Sequence, residues 1–153
     1  MVKVVAMEEQ HIDQVYAIEL DSFSIPWSRK DIEDEIRINK LALYFVAVDG
    51  DEVLGYGGMW HVVNEGHITN IAVNPAQRRN GVGSLLLEEM IRIAVEKEMI
   101  GLTLEVRVGN EAAQKLYSKY GFKPEGFRKN YYSDTKEDAV VMWKHLEAGM
   151  SAD

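Results

Sequence analysis

Arg78-Arg79-Asn80-Gly81-Val82-Gly83 stands between an apolar run with strand character, Ile68 to Val73, and a segment of helical periodicity, Ser84 to about Glu98. A strand, a glycine-bearing turn and a helix in that order form a cradle for phosphate. Glycines at 81 and 83 permit a sharp turn and let a ligand approach the backbone with no Cβ in the way. The free N–H groups and positive dipole end of the next helix suit an anion. Arg78 and Arg79 add fixed charge in the forked geometry that phosphate oxygens accept. From the loop alone, a plain loop-to-helix junction reads equally well, so the flanks have to decide.

Two familiar phosphate loops do not fit. A nucleoside-triphosphatase loop needs Gly-Lys-Ser/Thr, and here Gly83 is followed by Ser84 with no lysine. A dinucleotide loop needs a third glycine where Leu86 stands, and belongs near the start of a domain rather than mid-chain. What remains is Arg-x-x-Gly-x-Gly, read from Arg78, between a strand and an amphipathic helix.

The 153 residues suit one domain over 1–146, followed by a small polar tail, 147–153, expected to fray. No apolar stretch approaches membrane-spanning length and no basic-then-apolar leader is present, so the expectation is a cytoplasmic protein with no membrane partner. With no cysteine there is no disulfide framework, no thiolate metal site and no cysteine acyl-enzyme. The four histidines show no metal-ligand spacing, so no metal site is assigned. A net charge of −8 argues against direct nucleic-acid binding and suits a cationic partner, though solubility alone accounts for it too. No long exposed apolar stripe is evident, which makes a monomer the default.

Along the chain, Val2–Ala6 reads as a strand and Glu8 to about Phe23 as a helix. Ser28 with Asp31 forms a capping box that opens a second helix through Ile38. Leu41–Val48 and Glu52–Trp60 form a hairpin about Asp49-Gly50, and Glu65–Val73 is the next strand. After the glycine loop, Leu86, Met90, Ile93 and Ala94 mark the buried stripe of a third helix. Leu102–Val108 is a strand, Glu111–Tyr120 a short helix, and Phe122–Tyr132 with Asp138–His145 a closing pair of strands. The order β-α-α-β-β-β-α-β-α-β-β predicts a mixed α/β (α+β) protein, one sheet of about seven strands with helices on both faces.

Alternation along Leu102–Arg107 puts Thr103, Glu105 and Arg107 on one face of their strand. Glu105 reads either as half of an exposed Glu105–Arg107 pair or as a base near the far end of a phosphate-anchored ligand. Tyr117 reads as core packing or as a proton donor, its phenol being suited to protonate a departing thiolate. Asn110 is a good helix N-cap with a side chain also able to bond a ligand amide. Trp60 and Trp143 read as core. Trp27 and the pair Tyr131-Tyr132 fall at element ends, where aromatics line clefts.

These segments together resemble the GNAT superfamily of N-acetyltransferases, in particular its RimI-type branch, the bacterial ribosomal-protein alanine N-acetyltransferases. The likeness rests on Ser24-Ile25-Pro26-Trp27-Ser28, Asn70-Ile71-Ala72-Val73, the Arg78–Gly83 loop, Leu104-Glu105-Val106-Arg107, Asn110-Glu111-Ala112-Ala113, Leu116-Tyr117 and Gly121-Phe122. Arg128-Lys129-Asn130-Tyr131-Tyr132 and Glu137-Asp138-Ala139 complete it, so that it spans about residues 3 to 146. The resemblance implies a splayed sheet with acetyl-CoA along Ile71, Ala72 and Val73 and over Arg78, Arg79, Asn80, Gly81, Val82, Gly83 and Ser84, with Asn110 at the pantetheine arm. It implies Glu105 as general base, Tyr117 as general acid, and Trp27, Tyr131 and Tyr132 near the substrate. The expected substrate is the N-terminal alanine of a small-subunit ribosomal protein, acetylated by direct transfer. The alternatives are transfer to a lysine side chain or small-molecule amine, or a non-catalytic acyl-CoA sensor. Asn74, Gly109 and Tyr120 stand where an acidic residue, serine and leucine are common in the branch.

Overall fold

Seven strands form one sheet in the order β1-β2-β3-β4-β5-β7-β6 in a computed structural model that describes residues 1–78 and 80–146. Arg79 of the glycine loop and the 147–153 tail lie outside the described residues. The strands are β1 Val2–Ala6, β2 Ala42–Asp49, β3 Glu52–Val62, β4 Glu65–Val73, β5 Gly101–Arg107, β6 Lys123–Arg128 and β7 Ala139–His145. The helices are α1 Ile12–Ser22, α2 Arg29–Arg37, α3 Val82–Glu96 and α4 Glu111–Lys119.

Alternation along the strands feeds two cores. In β2, Phe45 and Ala47 face α3, where they meet Leu86, Leu87, Met90 and Ala94. Tyr44, Val46 and Val48 point the other way, toward Ile12, Val15 and Ile18 of α1 and Ile32 of α2. The middle of the sheet is therefore buried on both faces, and β2 and β3 carry apolar or small residues at consecutive buried positions.

Several boundaries differ from those the sequence predicts. The first helix begins as a 3-10 turn, Glu9–His11, because the His11 ring Nδ1 accepts from the Glu8 N–H at 2.9 Å and closes the entry turn. The third helix starts two residues early, at Val82, since Gly81 takes the left-handed conformation (φ 79°) as its N-cap. The sixth strand stops at Arg128 rather than Tyr132. Asn130 and Lys136 adopt positive φ (52° and 60°), which turns residues 129–138 out of the sheet as a long loop. Ser28 and Asp31 form the expected capping box, and Gly121 takes positive φ after α4.

Two irregularities place the site. The β3–β4 register shifts between Gly58 and Met59, so that Met59 faces Ile68 while Gly58 faces Asn70. Thr69 is the extra residue, and this bulge reverses the phase of the strand. Ile68 lies in the α3 core, whereas Ala72 lies in the α1–α2 core. The second irregularity is a parting. Strands β4 and β5 pair only at Glu65–Gly101, Gly66–Leu102 and His67–Thr103. Beyond these three pairs β4 keeps only β3 and β5 keeps only β7.

Candidate active site

The parting leaves one edge of β4 without a strand partner. The Asn74 N–H donates to the Leu54 carbonyl at 2.8 Å, on the β3 side. Backbone groups alternate sides along a strand, so the N–H and C=O of Val73 and Ile71 point into the opening. An extended chain bearing amides can pair with them as an added strand would. The residues along this edge are those at 71 to 73.

At the end of that edge, Asn74 caps a 3-10 turn through Ala76 N–H (3.0 Å), and the chain enters α3 through Gly81. The first intrahelical bond runs from Leu85 N–H to the Gly81 carbonyl, leaving the N–H groups of Val82, Gly83 and Ser84 without helical acceptors. Among the described residues no side chain caps this helix and its first turn holds no acidic residue. A Cβ built at Gly81 meets nothing within 4 Å, and Arg78 and Asn80 are exposed beside it. Three free donors, a positive dipole end and an open approach fit the diphosphate of a coenzyme. Asn110 caps α4 through Ala113 N–H at 3.1 Å with its side-chain oxygen, which leaves its amide nitrogen for another acceptor.

On the far side of the parting, β5 sends Leu104 and Val106 into the α3 core, and so turns Glu105 and Arg107 toward the α1–α2 face. Glu105 and Arg107 do not pair. The Arg107 guanidinium instead bonds Asp134 Oδ2 (2.9 Å) and Thr135 Oγ1 (3.1 Å). It also lies 3.6 Å from Glu137 Oε1 and 4.0 Å from the centre of the Tyr132 ring. Glu105 faces the Tyr131 hydroxyl at 3.5 Å, the outer limit of a hydrogen bond. Tyr131 and Tyr132 meet edge to face at 5.0 Å.

Arg107, Tyr131, Tyr132, Asp134, Thr135 and Glu137 form one wall of an open cleft of about 880 Å³, whose opposite wall is Ser22–Ile25 after α1, and Glu105 lies behind Tyr131. Tyr117, on α4, does not line this cleft: it is half-buried against the α3 core and packed on Phe122 with ring centroids 5.8 Å apart. Burial first, and then the neighbouring Tyr132, pushes its phenol up to about 12. Burial likewise lifts Tyr132 to about 12, against the Arg107 charge that lowers it. Both phenols are therefore neutral donors at any working pH.

Trp27 sits apart from the cleft. Its ring packs on Tyr44 at 6.3 Å within the α1–α2 core, and the Trp27 backbone N–H donates to Glu19 Oε2 at 3.0 Å. Glu19 itself is 2% exposed and also accepts from the Tyr56 hydroxyl and, at 3.4 Å, from Asn70. Sequence reasoning passes over Glu19, yet its signal is present: it lies seven residues after Ile12 and four after Val15, on the buried stripe of α1. Asn70, turned to this face by the Thr69 bulge, links Glu19 and Tyr56 to the strand that carries Ile71 and Val73.

Such an arrangement defines a class, the coenzyme A-dependent acyltransferases. The sequence profile of the acetyltransferase (GNAT) family matches residues 12–122, and the chain belongs to that family. A Bacillus subtilis protein named "putative ribosomal protein bS18-alanine N-acetyltransferase" is 42% identical over 137 residues, 90% of this chain and 91% of its own length. The Escherichia coli K12 ribosomal protein bS18-alanine N-acetyltransferase is 32% identical over 139 residues, 90% of this chain and 93% of its own. The crystal structure of the ribosomal-protein-S18-alanine N-acetyltransferase from Escherichia coli superposes with a TM-score of 0.87 at 31% identity, covering 99% of this chain and 96% of that one. The family's acetyltransferases use acetyl-CoA.

Proposed function

We propose that this acetyltransferase modifies the α-amine of a protein N-terminus, that of ribosomal protein bS18 beginning with alanine. The observation that carries the reading is Glu105, on β5 beyond the last pair with β4 and 3.5 Å from the hydroxyl of the cleft residue Tyr131. The names of the relatives at 42% and 32% identity support the choice of substrate. Acetyl-CoA supplies the activated acetyl group. The N–H groups of Ile71 and Val73 hold its arm and, at Val73, polarise the acyl carbonyl. Arg78, Arg79, Asn80 and the N–H groups from Gly81 to Ser84 take the diphosphate, and the Asn110 amide reaches the pantetheine. Glu105, directly or through a water, takes a proton from the attacking nitrogen. Tyr117 donates its hydroxyl proton toward the departing sulfur. The chain has no cysteine to carry an acyl group, so transfer is direct.

An α-amine suits a single carboxylate base. Its pKa of about 7.7–8.0, against about 10.4 for lysine, makes the free base roughly 3 kcal/mol cheaper to reach. The cleft, with Ser22–Ile25 on one side and Tyr131 and Tyr132 on the other, is open enough to admit a chain end. Mass spectrometry of peptides beginning Ala, Ser, Met or Thr, beside N-blocked peptides carrying one lysine, tests this. Acetylation confined to the free α-amine and fastest on the alanine peptide is expected. Preference for the blocked, lysine-bearing peptides overturns it in favour of a lysine acetyltransferase.

A further inference from the structure

We propose that Arg107 is a positioning residue that locks the 129–138 loop onto the substrate side of the site and so holds Tyr131 and Tyr132 in place around Glu105; this rests on the acetyltransferase reading above. Arg107 is the last residue of β5, two positions from Glu105 and on the same face. Its fork and its charge are taken up wholly by the loop: Asp134, Thr135, Glu137 and the face of Tyr132. Many of the loop's other ties are internal. Tyr132 N–H reaches the Glu137 carbonyl and Lys136 N–H the Tyr132 carbonyl, both within the loop itself. Asn130 N–H bonds Asp138, again local. Besides Arg107, four links run outward among the described residues. The Val108 N–H donates to the Asp138 carbonyl at 3.1 Å, at the end of the loop, and the Tyr131 hydroxyl lies 3.5 Å from Glu105. Glu137 Oε2 accepts from Gly109 N–H at 2.6 Å, just after β5, and a Cβ at Gly109 would stand 2.7 Å from that oxygen. Asp134 accepts from the Ser24 hydroxyl, on the opposite wall of the cleft. Ser24–Asp134–Arg107 is thus a chain of contacts from the segment after α1, across the cleft, to the strand that bears Glu105.

A planar cation satisfies this site and a point charge does not. Three acceptors on three side chains and a ring face require the breadth of a guanidinium. Arg107 touches no reacting atom in this scheme; it acts through Tyr131 and Tyr132, whose placement shapes the amine's approach to Glu105. The effect should therefore fall on the peptide and leave acetyl-CoA alone.

The test uses the full chain with Arg107→Met, which keeps the aliphatic stem, and Arg107→Lys. Trypsin reads the loop directly, because Lys129 and Lys136 are exposed within it. Cleavage there should quicken about tenfold in Arg107→Met, as expected for a segment whose anchor opens locally. KM for an alanine-first peptide should rise about tenfold while KM for acetyl-CoA stays within about twofold, with Arg107→Lys in between. Asp134→Asn should give a similar loss, and combined with Arg107→Met should add little, since both break one link. Unchanged loop cleavage, or peptide and acetyl-CoA constants that move together with the unfolding midpoint, overturns the proposal. A wild-type chain that acetylates none of the peptides overturns the functional reading alone, and the cleavage result still decides whether Arg107 anchors the loop.

Discussion

Tyr117→Phe separates the chemistry from the fold. The ring packs on Phe122 at 5.8 Å, and among the described residues no hydrogen bond engages its hydroxyl. Removing the oxygen leaves the packing in place and orphans no partner, so unfolding free energy should change by less than about 1 kcal/mol. Turnover should respond strongly. A positioned general acid is worth about 10²–10⁴-fold, or about 3–5 kcal/mol of barrier. The structure decides where in that range the loss falls. Burial holds the phenol at about 12, whereas an ordinary thiol lies near 8.5. Complete proton transfer to such a thiolate is uphill by about 3.5 units, roughly 5 kcal/mol. The phenol therefore stabilises the departing sulfur chiefly as a hydrogen-bond donor, and the loss belongs near the lower end, about 10²-fold. Thiol release followed with a thiol reagent has no background from this cysteine-free chain. Near-native turnover in Tyr117→Phe, or a rate loss matched by a fall in the unfolding midpoint, would refute the assignment.

Gly81→Ala should cost about 1–2 kcal/mol in denaturant unfolding through its φ of 79° alone, since open space surrounds the position, and Gly81→Asn should recover part of that; equal stability of the alanine variant would contradict the backbone argument. Glu19→Ala should destabilise by about 2–4 kcal/mol, because the Trp27 backbone N–H, the Tyr56 hydroxyl and the Asn70 amide lose a shared buried acceptor, and an unmoved midpoint would show that water replaces it. Burial raises the phenols of Tyr44 and Tyr56 and brings Tyr117 and Tyr132 to about 12, so the folded state favours their neutral forms. The contribution of each is then complete below the unfolded value of about 10 and is lost as pH rises through its folded value, about 12 for Tyr117 and Tyr132 and higher for Tyr44 and Tyr56; ultraviolet titration should show these phenols ionising together with unfolding, and early, independent ionisation would count against it. Charge reversal in Arg79→Glu should weaken CoA binding by calorimetry, and equal binding would remove the loop from the site.

What the sequence makes legible is what local periodicity and turn chemistry encode. The Asp49-Gly50 hairpin, the Ser28–Asp31 box, the Gly81 turn and the two faces of Leu102–Arg107 are all properties of a few adjacent residues. The parting of β4 from β5 follows only from the resemblance, because strand pairing is a long-range choice. Partner selection is harder still. Glu105 and Arg107 share a face two residues apart, and nothing local reveals that Arg107 bonds residues 27 to 30 positions away instead. The Thr69 bulge is silent for the same reason: it appears only once β4 is set against the Gly57-Gly58 segment of β3. Trp27 shows the converse, an aromatic at an element end whose ring finds Tyr44 rather than the cleft.

The three-pair seam between β4 and β5 also has a mechanical meaning. Strands β1 to β4 on one side and β5, β7 and β6 on the other are each continuously paired, yet the sheet that unites them is stitched at one end only. Two such blocks are natural units of partial opening, and amide exchange should distinguish them. A coenzyme that enters the gap as an extra strand would bridge the blocks. Saturation at a hundredfold excess over Kd adds about 2.7 kcal/mol to the folded state. Exchange at the inner edges of β4 and β5 should slow most, making the cosubstrate a keystone of the sheet that it occupies.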